Sequence, residues 1–288
     1  METGSSIRIG VVGVGHLGNF HLKQLLTSSE FSISGIYDIN KIHAEELGKR
    51  YNLKVMSTLK ELFKYCDAVS IVTPTNTHYE IANHALDFSC HVFIEKPMCA
   101  TLDEVRKIKK AWEKAGRPYL DSNLMSRGSP LYKWLQKFIE RGGLGQIYAI
   151  DAEYWYGRQH KLTDGWRNSV KNYSVMAGGG IHLMDTMFMM IDERPSTCFS
   201  VGNRICTENT KFKYNDFVTS IYSFKSSIIA RITANFGCVH RHQHVLRIFG
   251  DRATFLLDDA GPRIHATRDN ITHGLQDKAS AVIPIDRE

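Results

Sequence analysis

Over the first 122 residues, short β-branched apolar runs alternate with stretches in which apolar positions recur every three or four residues. Strands are predicted at Ile7–Val12, Phe31–Tyr37, 68–72, His91–Ile94 and 119–121, with a shorter one near Val55. Helical spacing fills the intervals, at about 16–26, 40–50, after Thr58, 77–88 and 101–115. Three of these helices open on a Thr-x-x-Glu spacing: Thr58–Glu61, Thr77–Glu80 and Thr101–Glu104. Strand and helix in strict alternation predict βαβ units around a parallel sheet. After Asn123 the pattern changes. One amphipathic helix is predicted at Pro130–Glu140, followed by a Gly-Gly turn. Strand-like runs then dominate, at 147–156, 217–224, 228–236, 245–249 and 253–257, and only 180–191 looks helical. Gly250-Asp251 is a hairpin turn signal. The expected division is 1–122, a doubly wound parallel domain, and 123–288, an α+β domain with a large, mostly antiparallel open sheet.

Composition agrees with folded domains. The chain has 288 residues, 43% hydrophobic and 23% charged, enough apolar surface for two cores. The longest apolar run, 181–191, carries Asp185 and is shorter than the roughly 18 residues that span a bilayer. The first residues, Met-Glu-Thr-Gly-Ser-Ser, do not resemble a signal peptide, so a cytoplasmic location is expected. The six cysteines form no Cys-x-x-Cys pair and read as reduced thiols. The net charge of +6 comes from basic residues interleaved with acidic ones, which is a solvated face rather than a nucleic-acid stripe.

The first chemistry lies between the first strand and first helix. Gly13-Val14-Gly15-His16-Leu17-Gly18 is a Gly-x-Gly-x-x-Gly turn. Gly13 suits the tight turn, Gly15 lets a pyrophosphate approach the backbone, and Gly18 allows close helix–strand packing. The helix N-terminus adds free N–H groups at His16 and Leu17. Twenty positions after Gly18, Asp38 ends the second strand, where a carboxylate accepts from the adenosine ribose and repels a 2′-phosphate. NAD is therefore expected over NADP, with Lys41 keeping NADP open. Two more strand ends reach the same edge: Thr73-Pro74-Thr75-Asn76-Thr77-His78, then Glu95-Lys96-Pro97. Lys96 is either a group aimed at that crevice or an ordinary surface lysine.

Taken in order, these motifs resemble the Gfo/Idh/MocA family of nicotinamide-dependent oxidoreductases. Asn123 and Arg127, Leu144-Gly145-Gln146-Ile147, and Gly178-Gly179-Gly180 followed by His182-x-x-Asp185 extend the resemblance to the second domain. It implies a Rossmann domain holding the cofactor through Gly13, Gly15, His16, Leu17, Gly18, Asp38, Thr73, Pro74, Asn76, His78, Glu95 and Lys96. It implies a frequently cis Pro97, Lys96 beside nicotinamide and substrate, and His182 as acid/base. It also implies an open sheet whose outer face makes a homodimer or homotetramer. The chain departs from the family at Gly178, where an aspartate often stands, and in stopping soon after the sheet.

Oxidising a secondary alcohol requires removing its hydroxyl proton, and imidazole is suited to that near neutral pH. Lys96 is suited to stabilising alkoxide character. Asp185, one turn after His182, is placed to orient the imidazole or bind a substrate hydroxyl. Lys96, His182 and Asp185 are the catalytic candidates; Lys96, Asn123, Arg127, Trp166, Arg167 and Asp185 are the substrate candidates. Tyr154, Trp155, Tyr156, Arg158, Trp166 and Arg167 suit a sugar face and an anion, or equally sheet packing and an interface. His240, His242 and His244 fall on one face if they lie in a strand. They read as an interface or phosphate contact sooner than as zinc ligands, and no metal is expected. The leading expectation is an NAD-dependent dehydrogenase of a small sugar or nucleotide-sugar. An inositol dehydrogenase and a silent NAD-binding sensor are the alternatives, with no nucleic-acid or membrane partner.

Overall fold

The structure is a computed structural model describing residues 6–266 and 281–282. The chain forms two compact units, Met1–Asn123 and Leu124–Glu288, which puts Asn123 in the first unit rather than at the head of the second.

In the first unit the elements run β1 (Ile7–Val12), α1 (His16–Thr27), β2 (Phe31–Tyr37), α2 (Lys41–Tyr51), α3 (Leu59–Lys64), β3 (Ala68–Ile71), α4 (His78–Asp87), β4 (His91–Ile94), α5 (Leu102–Lys114) and β5 (Leu120–Ser122). The five strands are parallel in the order β2-β1-β3-β4-β5. Val11, Leu22, Ile36, Ala44 and Leu47 pack α1 and α2 onto one sheet face. Leu62, Phe63, Val69, Ala82, Leu86 and Ile108 pack α3, α4 and α5 onto the other. The order reverses at β1, so the turn after β1 stands at the switch point where such sheets bind ligands.

The capping signals fared differently. Thr101 and Glu104 form both arms of a capping box on α5. Thr58 accepts from Glu61 N, but the Glu61 carboxylate turns back to Ser57. The expected box at Thr77 does not form. The Thr77 hydroxyl faces Pro74 O and Thr73 Oγ1 inside a 3-10 turn over Thr75–Thr77, and α4 starts one residue later. The strand expected near Val55 is a single parallel bridge to Ile36.

The second unit comprises α6 (Pro130–Glu140), β6 (Ile147–Trp155), α7 (His160–Thr163), a π-helical turn (Met176–Gly180), α8 (Ile181–Met190), β7 (Thr197–Asn203), β8 (Phe217–Ser223), β9 (Ile229–Asn235), β10 (Gln243–Gly250), β11 (Thr254–Asp258), β12 (Gly261–His265) and β13 (Ala281–Val282). Its eight-stranded sheet has the order β13-β12-β11-β10-β6-β9-β8-β7. Every pairing is antiparallel except β6 with β9. The inner face, with Ile150, Ala152, Ile232, Leu246 and Ile248, packs against Leu135, Leu183 and Met187 of α6 and α8. The strand β7 carries no buried residue, and the hydrophobic pattern had not signalled it. None of the six cysteines is in a disulfide. Among the described residues no helix is long and apolar enough to cross a membrane.

Candidate active site

The C-terminal edge of the parallel sheet collects every motif of the first unit. Gly13 N donates to Tyr37 O, Val72 N to Val12 O, Glu95 N to Ile71 O and Asn123 N to Ile94 O. Each strand thus continues its ladder one residue into its functional loop. Gly13 has φ +85°, and a Cβ there would stand 2.5 Å from Val72 O. A Cβ at Gly18 would collide with Gly13 O, whereas one at Gly15 would meet open space. That open, exposed approach to the start of α1, with His16 and Leu17 also exposed, fits a pyrophosphate. Asp38 is anchored on both oxygens: Oδ2 accepts from Val14 N at 2.8 Å and Oδ1 from Asn40 N at 2.9 Å. The residues present therefore fit a dinucleotide.

Beneath that edge lies a polar network that the sequence reading missed. Glu95 is 6% exposed. Its Oε1 stands 3.1 Å from His21 Nε2 and accepts from Asn123 Nδ2 at 2.6 Å, while His21 Nδ1 is 3.0 Å from Ser70 Oγ. Burial alone pushes the Glu95 carboxyl up, but the His21 and Asn123 hydrogen bonds hold it below its ordinary value. His21 and Ser70 sit inside a βαβ pattern, and nothing local in the sequence marks them.

Glu95 faces this interior network, so the structure gives it a supporting place. His78 is likewise a correction. It is 1% exposed, and its ring nitrogens face Pro97 O and Thr73 O at 2.8 Å each. No ring nitrogen remains for a cofactor; the imidazole instead ties the loops after β3 and β4. Burial pushes its pKa down, against the pull of the two carbonyls. Pro74 and Asn76 are exposed, Thr73 and Lys96 half-buried, and the Lys96–Pro97 peptide is cis. A groove of about 600 Å³, lined by Ile9, Phe20, His21, Ser70, Phe93 and Asn123 among others, opens on the sheet face and not at the glycine turn.

In the second unit the chemistry gathers around the π-helical turn, a distortion often found at functional sites. A Cβ at Gly179 would collide with the Tyr154 ring, and one at Gly178 with the Tyr173 hydroxyl. That hydroxyl accepts from Arg167 Nε at 3.0 Å. Tyr173 thus fills the space of a side chain at 178, where the resemblance led one to expect an aspartate. His182 opens α8, 5% exposed, its ring stacked on Tyr154 at 6.0 Å and 5.7 Å from that of His244. Asp185, three residues after His182 on α8, is paired with Arg127: Nε lies 3.0 and 2.9 Å from its two oxygens and Nη2 2.6 Å from Oδ1.

Strand alternation splits the aromatic cluster, and the histidine cluster parts at His240, which lies outside β10. Tyr154 and Tyr156 point inward and stack. Trp155 points outward, donating from Nε1 to Glu153 Oε2. His242 and His244 approach Tyr154 at 4.9 and 5.1 Å. His240, before β10 begins, instead meets Trp155 and Asp259, so the three histidines do not share one face. Among the described residues no group of three His, Cys, Asp or Glu is arranged to hold a metal. Trp166 and Arg167 adjoin, the guanidinium 4.8 Å over the indole.

Comparison with known proteins bears on this arrangement. The model of the oxidoreductase family with an NAD-binding Rossmann fold matches residues 7–121. The model of the GFO/IDH/MocA C-terminal domain matches 132–256. A UDP-N-acetylglucosamine 3-dehydrogenase of Acidithiobacillus ferrooxidans is 38% identical over 230 residues, covering 80% of this chain and 67% of the relative. A glucose-6-phosphate 3-dehydrogenase of Bacillus subtilis is 25% identical over 276 residues, covering 92% and 78%. The fold also matches scyllo-inositol dehydrogenase from Lactobacillus casei with bound NAD(H) and scyllo-inositol, at TM-score 0.79 and 17% identity, over 90% of this chain and 81% of that one. The two family models between them take in both units, and this chain belongs to the GFO/IDH/MocA oxidoreductase family.

Proposed function

We propose that the protein oxidises a secondary hydroxyl of a sugar or nucleotide-sugar, with NAD as the hydride acceptor. The observation that carries the reading is the glycine turn at the switch point, with Asp38 at the end of β2 and Lys96 after β4 on the same sheet edge. NAD, when bound, supplies the hydride-accepting ring. The choice over NADP rests on Asp38, whose charge repels a 2′-phosphate. His182 takes the hydroxyl proton, its ring plane set by the stack on Tyr154. Lys96 stabilises negative charge growing on the substrate oxygen. Asp185, held by Arg127, accepts a substrate hydroxyl through its remaining lone pairs. Asn123, anchored on Glu95, and Trp166 and Arg167 contact the sugar.

The same reading includes assembly into a homodimer or homotetramer. Phe199, Val201, Ile221 and Ile229 are all more than 40% exposed on the outer face of the large sheet. That face also carries a self-neutralised set, Arg231 and Arg247 with Asp151 and Glu153.

The test is formation of reduced nicotinamide with sugars, sugar phosphates, nucleotide-sugars and inositols, each offered with NAD and with NADP. Turnover that falls at least 100-fold in both Lys96→Ala and His182→Ala supports the assignment. Cofactor binding without turnover of any substrate favours the sensor reading. Turnover of inositols alone assigns the cyclitol reaction.

A further inference from the structure

One group of side chains in the second unit goes beyond what oxidising a neutral hydroxyl needs. Tyr154 and Tyr156 form a buried aromatic pair beside His182, 4% and 8% exposed. Four cationic or protonatable side chains stand around it. The Arg158 guanidinium lies 5.4 Å and the Arg167 guanidinium 5.9 Å from the Tyr156 ring. The ring of His242 meets Tyr156 edge-on at 5.2 Å, and that of His244 lies 5.4 Å from His242. Among the described residues Arg158 and Arg167 enter no salt bridge with a carboxylate. The nearest ion pair of α8, Arg127 with Asp185, is already neutral. The charge of these two guanidinium groups suits an anion.

We infer that this cluster is a phosphoryl subsite: Arg158 and Arg167 hold the phosphate oxygens of the substrate, with His242 and His244 beside them. The inference rests on the dehydrogenase reading for the location of the reacting carbon and narrows its substrate to a phosphorylated sugar. Guanidinium forks match phosphoryl oxygens in pairs. A phosphomonoester of the sugar and the diphosphate of a nucleotide-sugar present the same oxygens, and the two sources are separated by experiment.

Glucose 6-phosphate, UDP-N-acetylglucosamine, methyl glucoside and myo-inositol are titrated against the full chain by calorimetry in the presence of NADH. Their turnover with NAD is measured in parallel. The expected result is that one phosphorylated compound binds at least 10-fold tighter than both uncharged ones. Arg158→Ala and Arg167→Ala each cut that selectivity by about 10- to 100-fold, the range of a lost charge-assisted hydrogen bond. Arg167→Lys, which keeps the charge, retains part of it. Arg158 is exposed, so its alanine variant separates binding from folding. Preference for glucose 6-phosphate identifies the monoester source; preference for UDP-N-acetylglucosamine identifies the diphosphate. Turnover confined to methyl glucoside or inositol overturns the subsite and leaves the dehydrogenase standing. Phosphoryl binding lost in the arginine variants, with no turnover anywhere, keeps the subsite and overturns the dehydrogenase. Selectivity unchanged in both alanine variants overturns the subsite outright.

Discussion

Arg127 and Asp185 grip each other through a two-pronged ion pair in which only the carboxylate is buried, 8% exposed against 58% for the guanidinium side chain. The asymmetry decides what each substitution does. Arg127→Ala leaves a buried charge without its counter-ion and is expected to cost about 1–3 kcal/mol, less than a fully buried pair because water reaches the arginine. Asp185→Asn removes the charge of the pair beside a guanidinium that water already reaches and is expected to cost under about 1 kcal/mol. Urea denaturation of the two variants checks the order, and equal losses would contradict it.

The three glycines of the first turn should fail in different ways. Gly13→Ala meets both a positive φ and Val72 O, and Gly18→Ala meets Gly13 O, so both lower the melting temperature. Gly15→Ala has room, so it melts like the parent chain yet binds NADH at least 10-fold more weakly. Thermal melts beside NADH fluorescence titrations separate the two effects.

Tyr173 and Gly178 compete for one space. Gly178→Ala pushes a methyl into the Tyr173 hydroxyl and is expected to destabilise by about 1–3 kcal/mol. Tyr173→Phe removes the colliding oxygen, so the double variant recovers part of that loss. A double-mutant cycle with no coupling between the sites would show that the hydroxyl does not occupy that place.

Acid should weaken the first unit in two stages. His78 has its pKa pushed below the ordinary 6.5 by burial, so the native state favours the neutral ring. Its contribution is complete above pH 6.5 and is lost as the pH falls below that value. Glu95 is opposed by burial, yet its His21 and Asn123 hydrogen bonds hold it below the ordinary 4.5. Its contribution is complete above pH 4.5 and is lost in stronger acid. Both signs agree, so the melting temperature declines from pH 7 to pH 4. His78→Gln removes the earlier stage and keeps the later one; a profile unchanged by that substitution would refute the assignment.

Much of this was readable in the chain because it depends on local period and local turn chemistry. Phe31–Tyr37 and Pro130–Glu140 match the predicted bounds because apolar spacing and a proline at the first helical position are local signals. Thr101–Glu104 capped its helix as read, but Thr77 did not, because a neighbouring 3-10 turn claimed its hydroxyl first. The strand β7 escaped because none of its residues is buried and no hydrophobic alternation is imposed on it.

The site divides along the same line. The order of motifs determined the parallel sheet, the glycine turn and its acidic partner, since each depends on residues close in sequence. Which polar groups meet was decided by tertiary structure. Arg127 and Asp185 lie 58 residues apart, and Glu95 reaches His21 across 74. His78 was assigned to the cofactor from its position in a motif, yet burial turned it into a tie between two loops. Pleating sent Trp155 to one face of the large sheet and Tyr154 to the other, while His240, outside β10, left the side on which His242 and His244 approach Tyr154. A strand's two-residue period fixes that alternation, but only strand pairing decides where the strand begins and which neighbour each face meets.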